Sequence, residues 1–379
     1  MNFRECVFRV AGLLVPCASV IAQAPWSVSP TAVVNISSAT IAAAEHHDMG
    51  FASPIGAVRL PNGTIAVAEA HTGSLRLFDQ EGVQRISVGR SGDGPGEFRH
   101  ISWIGQCGGD SVFVWDKIHN RMSVVTAAGT ISREFQLTDQ AFKANTPFLL
   151  SCSRRGTLIS QTVPRFPPAK KGEKLDRVTR GAAPIVLHDL QTSKTDTTAL
   201  VPGSDIAVIG GGFAPMPLGR ATSFGIVADR LFVGTGDSSV VRVYQLNGRA
   251  AASIRLRLPQ RHTTGANYEH AIQELLAQIP TAIHNKIKAK LMKFPRPNPA
   301  PSYGLLYTDT DDLVWVTLSL PGDRMTRLRA FDTTGRVRGE VVVPAAVTVF
   351  EIGHDYILGK SEDEDGEPHV VMFALRRGK

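Results

Sequence analysis

The sequence predicts an all-β protein, a six-bladed β-propeller, and two observations lead to that fold class. A short β-rich segment, opened each time by a polar or glycine turn, recurs six times along the 379 residues. Successive copies lie a blade's length apart: 47 residues separate Ile65 from Val112, and 43 separate Leu313 from Tyr356. Blades of four strands occupy about 40–50 residues, so one copy corresponds to one blade.

The leading strand of each copy is apolar or alternates in polarity, which is typical of a buried strand. The six predicted leading strands are Ile65–Ala68, Val112–Trp115, Leu158–Ser160, Leu231–Val233, Leu313–Thr317 and Tyr356–Leu358.

A second predicted strand follows each leading strand, and in four copies a glycine comes soon after it. Tight hairpins need a residue with positive φ there, and glycine adopts it without strain. The second strands are Leu75–Asp79, Met122–Thr126, Ile185–Asp189, Val241–Gln245, Leu328–Asp332 and Val370–Ala374.

The last copy ends at the C-terminus without an outer strand. The N-terminal stretch Thr31–Ala43 is β-rich, and we expect it to close the last blade beside Val370–Ala374. Such a clasp removes an unpaired sheet edge.

A helical insert of about residues 259–302 precedes the fifth blade. Its apolar residues recur at three- and four-residue steps, as on one face of a helix. We interpret it as a lid packed on the propeller. The alternative is a basic amphipathic helix that touches anionic lipid or an acidic partner, since Lys286, Lys288, Lys290 and Lys293 follow.

Residues 1–24 are typical of a signal peptide, because Arg4 and Arg9 precede a short apolar run and Ala22-Gln23-Ala24 fits a cleavage site. The alternative is lipidation at Cys17. We expect residues 25–379 to form one exported domain, periplasmic or extracellular, without a transmembrane segment.

Two cysteines, Cys107 and Cys152, remain after such cleavage. In an oxidising compartment they form either a disulfide or two buried free thiols. Both fall at the end of the inner strand in neighbouring blades. A bond between them needs α-carbons within about 7 Å of each other.

The formal charge of +7 is spread along the chain, apart from the lysines of the insert. No basic motif is interleaved with exposed aromatic residues, so nucleic acid is not an expected partner. We expect a monomer.

No catalytic motif for metalloprotease, nucleotide-phosphate, redox or serine-hydrolase chemistry occurs. Two acidic segments are better explained by turns than by metal binding: Glu45–Asp48, interpreted as a polar loop, and Ser361–Glu367, interpreted as a hairpin tip.

Hairpins after the leading strands supply the candidate ligand site. Glu69 and Asp116 hold the same place in the first two copies, and a histidine and an arginine follow each. Such hairpins gather on one face of a propeller, where converging charges can bind a ligand or divalent ion. The alternative is inter-blade hydrogen bonding. The candidate residues are Glu69, His71, Arg90, Asp116, His119 and Arg121.

The segment Gly89–Phe98 resembles the inter-blade signature of NHL-repeat propellers, in which the final aromatic packs between blades. With Asp116 through Arg121, the helical insert and Tyr303–Val316, it makes the chain similar to the NHL-like six-bladed propellers exported by bacteria. That resemblance implies fold and export rather than a particular activity.

The sequence therefore favours a non-enzymatic binding or scaffold propeller that presents loops to a protein, peptide or glycan, with no cofactor. The alternative is a calcium-dependent enzyme similar to propeller lactonases or lyases, with its site in the central channel. That alternative requires Glu, Asn and Asp side chains from separate blades to meet at the axis.

Overall fold

A computed structural model of the chain describes residues 26–29, 51–137, 148–162, 176–210, 212–227 and 229–378. These residues are mostly β, in antiparallel sheets, and include two short α-helices. Within those ranges, no helix combines the length and apolar character needed to cross a membrane. The predicted signal peptide, residues 163–175 and Glu45–Asp48 lie outside the described residues.

The described strands form six sheets; five are built from consecutive strands, and the sixth joins the last three strands to the first. Sheet 1 contains β2 (Pro54–Arg59), β3 (Ile65–Glu69), β4 (Ser74–Phe78) and β5 (Gln84–Val88). Sheet 2 contains β6 (Ile101–Gly105), β7 (Ser111–Asp116), β8 (Arg121–Thr126) and β9 (Ile131–Gln136). Sheet 3 contains β10 (Phe148–Cys152), β11 (Thr157–Gln161), β12 (Arg177–Asp189), β13 (Thr195–Ile209) and β14 (Gly212–Pro215).

The second half of the chain repeats the pattern. Sheet 4 contains β15 (Ser223–Val227), β16 (Arg230–Gly234), β17 (Val240–Gln245) and β18 (Ala250–Arg255). Sheet 5 contains β19 (Leu306–Thr308), β20 (Val314–Thr317), β21 (Met325–Phe331) and β22 (Val337–Pro344). Sheet 6 contains β23 (Thr348–Ile352), β24 (Tyr356–Glu362), β25 (Pro368–Arg376) and β1 (Ser27–Ser29).

An N-terminal strand does complete the last sheet, but its position differs from the predicted one. Ser27 lies opposite Arg376 and Ser29 opposite Ala374 in the β1–β25 pair. The predicted segment Thr31–Ala43 lies outside the described residues. Trp26, next to β1, anchors this strand beside sheet 5, because its ring packs 5.5 Å from that of Trp315.

The sheets are joined in a closed order. The first strand of every sheet contacts the first strand of the next, and that of sheet 6 contacts that of sheet 1. A separate apolar cluster fills each of the six junctions. In the cluster between sheets 6 and 1, Phe51 and Phe78 pack with Leu358. Each sheet thus buries apolar residues against both of its neighbours.

Phe98 occupies the place that the NHL-like signature implies. It is fully buried in the cluster between sheets 1 and 2, beside Leu75 and Ile101. The backbone at Gly89 and Gly96 has φ of 80° and 72°, which glycine adopts without strain. The glycine-rich loop therefore turns the chain sharply enough to insert the ring.

Cys107 and Cys152 form a disulfide with α-carbons 5.1 Å apart. Cys107 follows β6, and Cys152 is the last residue of β10. The bond therefore links the first strands of sheets 2 and 3 at the ends where those strands turn into the second strands.

The predicted insert before the fifth sheet contains α1 (Gly265–Leu276), a 3-10 turn (Thr281–Ile283) and α2 (His284–Leu291). A capping box between Thr264 and Asn267 starts α1. Its apolar face packs on sheet 3, where Tyr268 and Ile272 join a buried cluster with Ile209. The insert is a lid on sheet 3.

Candidate functional site

The sheets have two ends, which carry different chemistry. We call the end formed by the β3–β4 and β7–β8 hairpins and the Gly89–Phe98 loop the hairpin end. The opposite end, where each first strand turns into the second, is the turn end. All six predicted ligand residues lie at the hairpin end.

Glu69 at the hairpin end is almost completely buried, and its carboxylate binds backbone N–H groups. Its carboxylate accepts hydrogen bonds from the N–H groups of Ala52 (3.1 Å) and Ser53 (2.7 Å). The His71 N–H, at 3.4 Å, donates to the same carboxylate. Glu69 thus ties the segment before β2 to the end of β3.

Asp116 performs the same task in sheet 2. It is fully buried, and its oxygens accept N–H bonds from Arg99 (2.7 Å) and His100 (3.3 Å) before β6. The N–H groups of Ile118 and His119 in the hairpin also donate to it, at 3.0 and 3.1 Å. One carboxylate therefore satisfies four N–H groups.

His119 links this buried acid to the surface. Its Nδ1 lies 2.8 Å from Asp116 Oδ2, and its Nε2 lies 2.9 Å from Asp93 Oδ1. Hydrogen bonding from His119 holds the pKa of Asp93 below its usual range, and Arg99 adds to that effect.

The two arginines among the candidate ligand residues, Arg90 and Arg121, both donate to Glu97 in the loop before sheet 2. Arg90 Nε donates to Glu97 Oε1 at 2.7 Å, and Arg121 donates to the Glu97 carbonyl. Arg121 Nε also lies 3.4 Å from Glu134. The structure therefore brings four of the six candidates together around sheet 2 and its preceding loop, and leaves Glu69 and His71 in sheet 1 as a parallel arrangement.

The turn end holds a cavity of about 950 Å³, and none of the six candidates lines it. Every sheet contributes to its wall at the end of its first strand. One lining residue from each sheet, in order, is Arg59, Trp103, Arg154, Ile226, Thr308 and Glu351. Because the first strands contact one another in a closed order, this cavity is the mouth of the space that they enclose.

Glu351 is the titratable group of greatest interest in this channel mouth. It lies on β23 and accepts a hydrogen bond from the Arg59 N–H at 2.8 Å, across the junction of sheets 6 and 1. The Tyr356 hydroxyl is hydrogen-bonded to the same carboxyl. Burial raises the pKa of Glu351 to about 7, because these bonds compensate only part of the lost hydration.

The neighbours of Glu351 are themselves fixed. The Arg59 guanidinium lies 4.9 Å from the centre of the Tyr356 ring, and its Nη1 is 3.2 Å from Asp355. Burial raises the pKa of Tyr356 above its usual range, and the carboxyl of Glu351 adds to the shift. Near neutral pH the carboxyl of Glu351 can therefore donate or accept a proton, while the hydroxyl of Tyr356 stays protonated.

The other buried carboxylate of the mouth, that of Asp309, already accepts several hydrogen bonds. Asp309 accepts from the indole N–H of Trp315 at 2.7 Å and from Arg377 at 2.8 Å, as well as from backbone N–H groups. Across the described ranges, no group of three or more His, Cys, Asp or Glu is placed to hold a metal ion.

Sequence reasoning missed Glu351, Arg59 and Tyr356. A signal was present, because Glu351 is the single charged residue in the apolar run Val347–Ile352. An isolated carboxylate in a buried strand needs a partner, and here the partners come from both ends of the chain.

No family model matches the sequence, and no curated protein matches it either. Solved structures do share the fold. A member of the DUF4221 family from Bacteroides vulgatus is 11% identical, with 87% of this chain and 95% of that chain covered and a TM-score of 0.52. A Bacteroides fragilis protein described as exported is 13% identical (95% and 98% covered, TM-score 0.48).

A gluconolactonase from Xanthomonas campestris is 10% identical, with 98% and 100% covered and a TM-score of 0.46. The neighbours are propeller-like proteins. The likeness to the DUF4221 protein, at 11% identity, shows a shared fold and no more.

Proposed function

We propose that this chain is an exported six-bladed β-propeller that works as a non-enzymatic binding protein, with its ligand at the channel mouth of the turn end. The observation that carries the proposal is the cavity of about 950 Å³ to which all six sheets contribute. Pockets of several hundred cubic ångströms with a few convergent polar groups are typical of ligand sites.

Six blades are supported by the six sheets of the described chain, their closed order of contact and the six junction clusters. Export is supported by the signal-like residues 1–24 and by the disulfide, since disulfides persist in oxidising compartments. The NHL-like assignment is supported by the buried position of Phe98.

The chemistry of the mouth favours a ligand with both polar groups and an apolar face. Trp103 and Phe350 line it together with Gln106 and the Arg59–Glu351 pair. A segment of peptide or glycan combines hydrogen-bonding groups with surfaces that stack on aromatic rings.

The test uses arrays of peptides and glycans, probed with the mature protein. We expect Trp103→Ala and Glu351→Gln to weaken binding to any array ligand at least tenfold. Arg90→Ala is the matched control, because Arg90 is a highly exposed arginine at the other end. Loss of binding only with Arg90→Ala would move the ligand to the hairpin end. Absence of any ligand on both arrays would contradict the binding role.

A second candidate is an enzyme with its site in the same mouth, and the observation that favours it is the Glu351 pKa of about 7. A carboxyl with this pKa suits general acid–base catalysis. Calcium does not fit the described mouth well, because the oxygens of Glu351 and Asp309 already accept hydrogen bonds from Arg59, Trp315 and Arg377.

This second candidate is tested by assaying lactone hydrolysis with the wild type and Glu351→Gln, in calcium and in chelator. Turnover that Glu351→Gln abolishes would establish the enzyme. Turnover that also needs calcium would show that the metal binds despite the occupied carboxylates.

A further inference from the structure

The helical insert covers a second cavity at the opposite end from the channel mouth. It has a volume of about 510 Å³ and lies between the insert and the β16–β17 hairpin of sheet 4. Prolines at both ends of the insert fix much of its wall, because each proline restricts its own backbone. They are Pro259, Pro297, Pro299 and Pro301.

The charged groups on the sheet side of this cavity neutralise one another. Arg220 donates to both oxygens of Asp205 at 2.9 Å and to Asp237 at 2.8 Å. Arg180 approaches Asp237 at 2.5 Å and also donates to backbone carbonyls. Two arginines and two aspartates thus form a network without net charge.

Arg261, on the insert side, is different. Its Nε and Nη2 donate to the Pro301 carbonyl and its Nη1 donates to that of Ser319, which accounts for three of its five N–H groups. Among the residues with described positions, no carboxylate lies within ion-pair distance of it, and Asp323 acts on it only from farther away.

Burial lowers the pKa of Arg261 to about 10, which still leaves the guanidinium charged at neutral pH. Arg261 also lines a smaller cavity of about 320 Å³ on its other side, where Glu274 lies beyond ion-pair distance. Arg261 is a half-buried cation whose described hydrogen bonds all go to carbonyl oxygens. These bonds compensate only part of the hydration that its charge loses on burial.

The geometry points to Arg261 as the anchor of a second binding site, in which the cavity under the insert takes the carboxylate of a small organic acid. The two N–H groups that remain, one on Nη1 and one on Nη2, can each donate to one oxygen of a carboxylate. With Arg180 behind the wall counted in the network, Arg261 is the one cation of the larger cavity without a carboxylate partner among the described residues, and a monoanion can neutralise it. Ser239, Gln260 and Ser302 line the same space and supply further hydrogen bonds.

The experiment compares N-acetylglycine with N-acetylglycinamide, which differ only in carboxylate against carboxamide. Binding to the full mature chain is measured by calorimetric titration at constant ionic strength. We expect the acid to bind at least tenfold more tightly than the amide. Arg261→Met should remove that difference, and Arg257→Met, which deletes an exposed arginine near the insert, should keep it.

Arg261→Lys keeps the charge without the planar fork, and we expect it to retain only part of the preference for the acid. Equal binding of acid and amide to the wild type would overturn the site without any variant being needed. An unchanged preference in Arg261→Met would do the same. Inorganic phosphate binding more tightly than the acid would overturn the carboxylate class.

Discussion

The hairpin end and the turn end of this molecule use charged residues in opposite ways. At the hairpin end, Glu69 and Asp116 are buried and all their described partners belong to neighbouring loops. At the turn end, Glu351 lies in the wall of a cavity and shares its carboxyl between one backbone N–H and one tyrosine. The same residue type thus ties loops together in one place and lines a cavity in the other.

The difference teaches that a carboxylate recurring at the same position in a repeat protein indicates a structural role before it indicates a catalytic or binding role. Glu69 and Asp116 recur at the same position because the same N–H groups need an acceptor in two successive blades. Glu351 has no counterpart in the other sheets' first strands, and its position beside Arg59 arises only because the chain closes on itself.

The largest expected effect is on stability, at the hairpin end. We expect Asp116→Ala to lower the free energy of unfolding by about 3 kcal/mol, because four N–H groups lose one buried acceptor. Chemical denaturation monitored by tryptophan fluorescence measures this loss.

Asp93→Ala is the matched control for that variant, because Asp93 contacts the same histidine from the solvent side. We expect its midpoint of unfolding to change little. A stable Asp116→Ala protein with altered ligand binding would show instead that the hairpin end is a site.

The disulfide gives the next effect, at the turn end. We expect the double variant Cys107→Ser, Cys152→Ser to lose about 2–4 kcal/mol of stability, because the bond closes a loop with a sequence separation of 45. In thermal denaturation, adding reductant should lower the stability of the wild type by the same amount as the double substitution does. Reductant should not change the stability of the double variant. Mass spectrometry under non-reducing conditions that finds two free thiols would contradict the bond.

Much of the fold is predictable from the sequence, and the reason is periodicity. The strand pairs and the helical insert follow from local patterns that recur at blade spacing, as Ile65–Ala68 and Val112–Trp115 show. The clasp was not predictable in detail, because β1 has only three residues and its position depends on Trp26 packing against Trp315, far away in sequence.

The channel mouth was less predictable than the fold for the same reason. Arg59 and Glu351 are 292 residues apart in sequence. Their contact depends on the closure of the ring and not on any local pattern. The charges at the hairpin end, in contrast, stand out in the sequence because they are local and repeated.

The smallest expected effect concerns pH and tests whether Glu351 is as buried as its neighbours suggest. Its pKa is about 7 in the folded protein, against 4.5 as the ordinary value. Between those values the folded state holds a proton that the unfolded state has released. The resulting stabilisation is complete below about pH 4.5 and is lost as the pH rises through 7, which amounts to about 1–2 kcal/mol after allowance for partial solvent contact.

Glu351→Gln should remove this component, because the amide cannot ionise but still offers an oxygen to the Arg59 N–H. Urea denaturation at pH 5 and pH 8 should therefore show a smaller fall in stability for Glu351→Gln than for the wild type. Glu362→Gln, at the exposed hairpin tip of sheet 6, should keep the full fall. If all three proteins respond to pH alike, Glu351 is an ordinary solvated carboxylate, and the contrast between the two ends of the molecule loses its main support.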